Sequence, residues 1–201
     1  MANLITILRA ILGFVAIAAL YQHSTFNYIF AFILTILVIW MDGLDGYVAR
    51  KLNESSKFGA LLDILGDRIV ENAYWIAFLS LGWLPVWVPL VVVSRGLITD
   101  SLRSVAFEQG YTAFGSSTMM ENPIGKFIVA SNFSRFSYAI FKALAFALLI
   151  VAHIPAEYKY KSIVSFAGYF SAYFSIFFCV VRGLPVIIES KRFIFTNESA
   201  K

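Results

Sequence analysis

Apolar residues fill six long stretches of the chain, and polar or charged residues mark where each stretch ends. A membrane-spanning helix needs about 20 mostly apolar residues, with a lower limit near 17. The first stretch is not expected to be a leader peptide, because no small-residue cleavage site follows it before the second begins. The pattern predicts six transmembrane helices, at residues 5–21, 28–48, 58–83, 85–107, 126–153 and 162–188.

The overall composition points to a lipid environment. Apolar residues make up 60% of the 201 residues and charged residues 14%, and the mean hydropathy is +0.78. Soluble domains carry about 25% charged residues, and a soluble fold of this size cannot bury so much apolar surface. We therefore expect a single all-α integral membrane domain over residues 1–201.

The distribution of basic residues predicts the orientation of the helices. On one side of the membrane the loops contain Lys159 and Lys161. The other side collects Arg50, Lys51, Lys57, Arg103, Lys126, Lys191 and Arg192. Because cytoplasmic loops are enriched in Lys and Arg, both termini are expected in the cytoplasm of a cell-membrane protein. Trp75, Trp83 and Trp87 then fall near the outer ends of their spans, where an aromatic belt is expected.

The net charge of +4 fits a surface that faces anionic lipid headgroups. The basic residues are not grouped with stacking aromatic residues on a polar face, so we expect no nucleic-acid partner.

Four aspartates interrupt the apolar pattern around the junction of the second and third predicted spans. Asp42 and Asp45 are three residues apart and Asp63 and Asp67 are four apart, so each pair lies on one helix face. The short loop between these spans favours antiparallel packing, which brings the pairs together. Carboxylates at that distance repel one another, whereas hard divalent cations prefer them as ligands. Two Mg²⁺ or Mn²⁺ ions are expected; the alternative is pairing with Arg50, Lys51, Lys57 and Arg68.

Three glycines flank the aspartates: Gly43, Gly46 and Gly59. Glycine inside a helix costs about 1 kcal/mol relative to alanine, so its presence here needs a reason. Two reasons remain open. The missing side chain leaves room for a ligand beside the acids, or it allows a second helix to pack closely.

The order of residues across these two helices resembles the signature of the CDP-alcohol phosphatidyltransferase family. The signature positions, with eight residues between the fifth and the sixth, are Asp42, Asp45, Gly46, Ala49, Arg50, Gly59, Asp63 and Asp67. The resemblance implies that a phosphatidyl group moves from CDP-diacylglycerol to the hydroxyl of a small alcohol, with release of CMP. It also implies an active site at the cytoplasmic interface.

The same resemblance implies individual roles. The four aspartates would hold the two divalent ions, and Asp67 would also act as the catalytic base that takes the proton of the acceptor. The residues implied to bind the CDP group are Asn3, Thr6, Gly46, Ala49, Arg50, Ser56 and Gly59, with Arg9 assisting. Members of this family commonly dimerise through their spans, so a homodimer is expected.

Basic residues in the second half of the chain indicate the acceptor. The stretch at residues 94–103 resembles the Arg-containing stretch of bacterial phosphatidylglycerophosphate synthases, and Gly125-Lys126 resembles the start of their fifth span. Arg95 and Arg103 are two helical turns apart and could grip the phosphate of sn-glycerol 3-phosphate. Lys126 and Arg135 complete the expected acceptor-binding set. Residues 127–132 differ from that group, so inositol phosphate or another polyol phosphate, and less favourably serine, remain alternatives.

A different functional class is an ion or proton transporter, because acids within membrane spans often mark ion pathways. Transporters place such groups near the midplane and commonly contain inverted repeats, whereas these acids lie at one interface and the sequence shows no repeat. Two local questions also stay open. Glu71 could pair with Arg68 or Arg95, and the polar segment at residues 109–125 could cover a site or simply connect two helices.

Overall fold

The computed structural model describes residues 2–51, 57–108, 110–111, 120 and 122–195. Within those residues the chain forms seven α-helices and no β-strand, which confirms the predicted all-α class. The helices are α1 (Ala2–Leu20), α2 (Thr25–Lys51), α3 (Lys57–Ser80), α4 (Trp87–Glu108), α5 (Pro123–Ala130), α6 (Asn132–Ala152) and α7 (Lys161–Phe195).

In the described part of the chain, α1, α2, α6 and α7 are long and apolar enough to cross a membrane. Helices α3 and α4, with 24 and 22 residues, also have the length to do so. Their charged residues lower their hydropathy, and these are Lys57, Asp63, Asp67, Arg68 and Glu71 in α3 and Arg95, Asp100, Arg103 and Glu108 in α4. The structure therefore gives four candidate spans where the sequence pattern predicts six.

The fifth predicted span is two helices, α5 and α6, which meet at Ser131. The hydroxyl oxygen of Ser131 accepts a hydrogen bond from the backbone N–H of Ser134 at 3.1 Å, as an N-cap does. The prediction of one helix over residues 126–153 is wrong here, because an apolar count does not register a capping serine. Arg135 consequently lies exposed in the first turn of α6 rather than in the interior of one continuous helix.

The chain forms two compact units. The first comprises residues 1–89 and 143–172, and the second comprises residues 90–142 and 173–201. The predicted metal-binding and CDP-binding residues belong to the first unit, and the predicted acceptor-binding residues belong to the second. The single domain expected over residues 1–201 stays a prediction.

Aromatic rings fill the core of the first unit. Tyr74 stacks on Phe146 with ring centres 4.8 Å apart, and Trp75 meets the same ring edge-on at 5.0 Å. The Tyr74 hydroxyl lies 2.8 Å from the Thr35 hydroxyl, which joins α3 to α2. The ring contacts join α3 to α6, and the hydroxyl contact joins the two helices that carry the aspartates.

The end of α3 explains the position of Trp83. Gly82 has a φ of +75°, the N–H of Trp83 donates to the Phe78 carbonyl at 2.8 Å, and that of Gly82 donates to the Leu79 carbonyl at 2.9 Å. This is a Schellman motif, in which glycine takes the left-handed conformation after the helix. Trp83 is buried and stacks on His153 at 4.1 Å.

The prediction of a lipid-facing tryptophan belt is therefore wrong for Trp75 and Trp83, which are buried in the protein. Trp87 is exposed, as a belt residue would be. A tryptophan near the end of an apolar stretch can face protein or lipid, and only the tertiary packing decides between the two.

Candidate active site

Helix α1 packs against both α2 and α3. A Cβ atom at Gly66 of α3 would lie 2.8 Å from the Thr6 methyl carbon and 3.5 Å from Nη2 of Arg9. A Cβ atom at Gly13 would lie 3.5 Å from Val70. Small residues at a helix crossing allow two backbones to approach closely. Gly66 lies between Asp63 and Asp67 in the sequence. Because it has no side chain, α1 can pack closely against the part of α3 that carries these aspartates.

The guanidinium of Arg9 lies among three of the predicted aspartates. One of its terminal nitrogens binds the Asp42 carboxylate, and the other binds that of Asp67. The second nitrogen is also 3.7 Å from Oδ1 of Asp63. The Arg9 side chain is 2% exposed, whereas the three carboxylate side chains are 45–56% exposed. A buried cation from α1 therefore neutralises part of the negative charge that α2 and α3 bring together.

The side chain of the fourth aspartate, Asp45, lies outside what the structure describes, although its backbone is part of α2. Among the described side chains, no three His, Cys, Asp or Glu residues are grouped closely enough to hold a metal ion. The oxygen donors nevertheless suit a hard divalent cation, because they are partly exposed carboxylates. Such a cation and Arg9 would use the same oxygen atoms.

The residues predicted to bind CDP fall into two groups. Asn3 and Gly59 are half-buried, and Thr6 is buried against Gly66. The second group consists of Gly46, Ala49, Arg50 and Ser56. For the first three, the structure describes the backbone of α2 but not the side chains, and Ser56 lies outside the described residues.

Single residues bear on two of the open alternatives. A Cβ atom at Gly43 would meet no atom of the described residues within 4 Å, so none of them packs closely against this position. Glu71 is buried, and its carboxylate lies 3.6 Å from the guanidinium of Arg68. The pairing of Glu71 with Arg68, one of the two predicted partners, is confirmed.

The second unit contains a cluster of four arginines. Arg182 of α7 lies close enough to Arg95, Arg103 and Arg135 for their positive charges to repel its own. The last three are predicted acceptor-binding residues, and the structure brings them together around Arg182. The side chain of the fourth predicted residue, Lys126, lies outside what the structure describes.

Sequence reasoning missed Arg182, although a signal was present. An arginine inside an apolar span costs at least about 2.5 kcal/mol, which makes it a candidate functional residue. Arg182 donates a long hydrogen bond of 3.5 Å to the Val129 carbonyl, and its guanidinium lies 5.7 Å from the centre of the Tyr138 ring. Neither contact supplies an acceptor for its Nε–H, which finds none among the described residues.

Two arginines of the cluster, Arg103 and Arg135, have polar partners. Arg103 lies 3.7 Å from the Asp100 carboxylate, and Arg135 donates to the Asn132 amide oxygen at 2.9 Å. By contrast, the Nε–H groups of Arg95 and Arg182 are buried and have no hydrogen-bond acceptor in the described residues.

Buried donors without acceptors are costly and uncommon. The two buried Nε–H donors belong to Arg95 and Arg182, whose positive charges lie near each other. An anionic ligand would compensate both, and guanidinium groups bind phosphate well.

The chemistry of both units agrees with the comparison to known proteins. Residues 1–181 match the model of the CDP-alcohol phosphatidyltransferase family. The chain belongs to this family. The family that the signature across α2 and α3 resembles is thereby confirmed. Together with the four apolar helices, membership identifies this CDP-alcohol phosphatidyltransferase as a multi-pass membrane protein.

Individual relatives carry more specific names. A CDP-diacylglycerol–glycerol-3-phosphate 3-phosphatidyltransferase of Bacillus subtilis is 29% identical over 152 residues, 75% of this chain and 68% of that protein. One of Pseudomonas fluorescens is 33% identical over 116 residues, 56% of this chain and 59% of that protein. A probable phosphatidylglycerophosphate synthase of Mycobacterium tuberculosis is 28% identical over 113 residues, 55% of this chain and 54% of that protein. The chain thus spans less than two thirds of the second and third relatives.

Proposed function

We propose that this family member transfers the phosphatidyl group of CDP-diacylglycerol to sn-glycerol 3-phosphate, giving phosphatidylglycerophosphate and CMP. The observation that carries the proposal is that Asp42, Asp63 and Asp67 all lie against the guanidinium of Arg9 in a chain of this family. The names of the relatives and the arginine cluster support the choice of acceptor.

Asp42, Asp45, Asp63 and Asp67 hold two Mg²⁺ or Mn²⁺ ions in this proposal. Bound there, the ions would neutralise charge on the pyrophosphate of the lipid substrate. The acceptor hydroxyl oxygen forms a bond to the phosphatidyl phosphorus, and the bond from that phosphorus to the CMP oxygen breaks. Asp67 takes the hydroxyl proton, for which its partly exposed carboxylate is accessible.

The CDP group is bound by Asn3, Thr6, Gly46, Ala49, Arg50, Ser56 and Gly59 in this proposal. Thr6 lies one helical turn before Arg9 on α1, which supports a place for α1 beside the aspartates. We further propose the finer membrane arrangement: α3 and α4 also cross the bilayer, both termini are cytoplasmic, and the site opens to the cytoplasm. A homodimer is part of the same proposal.

The acceptor phosphate is bound between Arg95 and Arg182, whose buried Nε–H groups it would satisfy. Arg103, Lys126 and Arg135 add positive charge around it. A phosphorylated alcohol gains from these cations, whereas a neutral acceptor such as serine does not. The cluster therefore favours sn-glycerol 3-phosphate, and then another polyol phosphate, over serine.

Release of CMP by the purified protein tests the proposal. The protein in detergent, with Mn²⁺ and CDP-diacylglycerol, should release CMP with sn-glycerol 3-phosphate and less with inositol phosphate or serine. Asp67→Asn should abolish turnover while the fold is retained. Glu157→Gln, which neutralises an exposed acid paired with Lys161, serves as the matched control and should remain active.

Three results would contradict the proposal. Absence of CMP with every acceptor would overturn the transferase activity. Full activity of Asp67→Asn would overturn the role of Asp67 as the base. Equal rates with serine and sn-glycerol 3-phosphate would overturn the role of the arginine cluster.

A further inference from the structure

Gly183 of α7 lies directly against the side chain of Arg95 of α4. A Cβ atom at position 183 would lie 2.9 Å from Cγ, 3.0 Å from Nε and 3.5 Å from Cδ of Arg95. Carbon atoms pack most favourably at about 3.5–4.0 Å. Arg95 therefore occupies the space that any side chain at position 183 would need.

The contact involves the part of Arg95 that is nearest its own helix. The Cγ atom is two bonds from Cα, so it moves away only by a change of χ1 or a separation of the helices. The Nε–H at the same contact is buried without an acceptor in the described residues. The space left by Gly183 thus determines where this N–H and the guanidinium beyond it point.

The residue before Gly183 is Arg182, the second arginine of the cluster whose buried Nε–H has no acceptor among the described residues. Arg182 is within electrostatic range of Arg95 and is itself held against the Val129 carbonyl and the Tyr138 ring. Two like charges move apart unless packing restrains them. In the pair Arg182-Gly183, the first residue therefore supplies one guanidinium and the second fixes the position of the other.

We propose that Gly183 is a positioning residue for acceptor recognition, which holds the Arg95 guanidinium beside that of Arg182 to receive the acceptor phosphate. The inference rests on the proposed function, because it takes Arg95 as an acceptor-binding residue. Gly183 acts through Arg95 and does not itself touch the acceptor.

Gly183→Ala tests this assignment in the full-length protein, through the KM values for sn-glycerol 3-phosphate and for CDP-diacylglycerol. A crowded contact of this kind should raise the KM for sn-glycerol 3-phosphate on the order of tenfold and leave that for CDP-diacylglycerol nearly unchanged. Arg95→Ala removes Cγ and Nε together. In that background, Gly183→Ala should have no further effect on the acceptor KM, because coupled positions are not additive.

Two other glycine substitutions provide controls. Gly96→Ala changes the neighbour of Arg95 at a position with no atom within 4 Å of the new Cβ, so neither KM should change. Gly168→Ala crowds the backbone of Leu149 and Leu148 at 3.2 and 3.3 Å in the first unit. It should lower thermal stability without a selective effect on the acceptor KM.

The outcomes separate the inference from the function on which it rests. An unchanged acceptor KM in Arg95→Ala would contradict the proposed role of Arg95. A raised KM in Arg95→Ala with an unchanged KM in Gly183→Ala would overturn the positioning role. Equal rises of both KM values in Gly183→Ala, or additive effects in the double variant, would also overturn it, since they indicate general damage to packing.

Discussion

Replacing Arg9 by methionine tests the electrostatic organisation of the acidic site. Methionine is apolar and unbranched and ends near the position of Nε of arginine, so the variant retains the packing of the aliphatic part of Arg9 and removes the charged guanidinium. In the metal-free protein, Asp42 and Asp67 would lose the cation that each of them binds, and Asp63 would lose a cation at 3.7 Å. Arg9→Met should therefore destabilise the metal-free protein.

The size of the effect follows from the exposure of the partners. Removing one partner of a fully buried ion pair costs about 3–5 kcal/mol, whereas an exposed pair contributes about 0–1 kcal/mol. The cation is 2% exposed and the carboxylates are 45–56% exposed, so the pairs lie between these limits. We expect a loss of about 2 kcal/mol in the free energy of unfolding.

Unfolding by sodium dodecyl sulfate in mixed micelles, with EDTA present, measures this loss. The buried Trp75 and Trp83 report it through their fluorescence. Lys161→Met is the control, because it removes the cation of an exposed pair with Glu157 and should cost under about 1 kcal/mol.

Addition of Mn²⁺ extends the test to the proposed metal site. It should restore more stability to Arg9→Met than it adds to the parent protein, because a cation that competes for the same oxygens has been removed. Unchanged stability of Arg9→Met in EDTA would refute the electrostatic reasoning. Equal stabilisation of both proteins by Mn²⁺ would refute the shared oxygen ligands.

Two further predictions concern metal removal and pH. EDTA should abolish CMP release and added Mn²⁺ should restore it; activity that persists after metal removal would contradict the proposed ions. Burial lowers the pKa of the His153 imidazole from its ordinary value of 6.5, so the unfolded chain binds the proton more readily. Stability should therefore fall as the pH drops below about 6.5, and His153→Phe, which keeps a ring against Trp83, should weaken that dependence in the same unfolding assay.

The apolar pattern predicted the positions of most helices because burial in lipid acts on whole stretches of sequence. Helix α1 covers residues 2–20 where the pattern gives 5–21, and α2 covers residues 25–51 where it gives 28–48. The pattern failed where a local contact decides the outcome. The cap at Ser131 divides one predicted helix, and the aromatic core buries Trp75 and Trp83.

The candidate site was predictable to the extent that it follows helical register. Spacings of three and four residues place the aspartates in two pairs, and the short segment between α2 and α3 predicts that these two helices are neighbours. The contacts of Arg9 depend on tertiary packing, since this residue is 33 positions from Asp42 and 58 from Asp67 in the sequence. Gly66 lies between Asp63 and Asp67 in the sequence, but only the structure shows that α1 packs against it.

The charged side chains of the two candidate sites form two sets, one mainly acidic and one basic, and this division suits the proposed reaction. In the first unit, carboxylates pair with the buried guanidinium of Arg9. In the second unit, the buried Nε–H groups of Arg95 and Arg182 have no acceptor among the described residues. Charges inside apolar helices are costly unless a partner compensates them. A divalent cation would compensate the first set, and a phosphate would compensate the second. Transfer of a phosphatidyl group to a phosphorylated alcohol uses both kinds of compensation, because the pyrophosphate of the lipid substrate and the phosphate of the acceptor are both anionic.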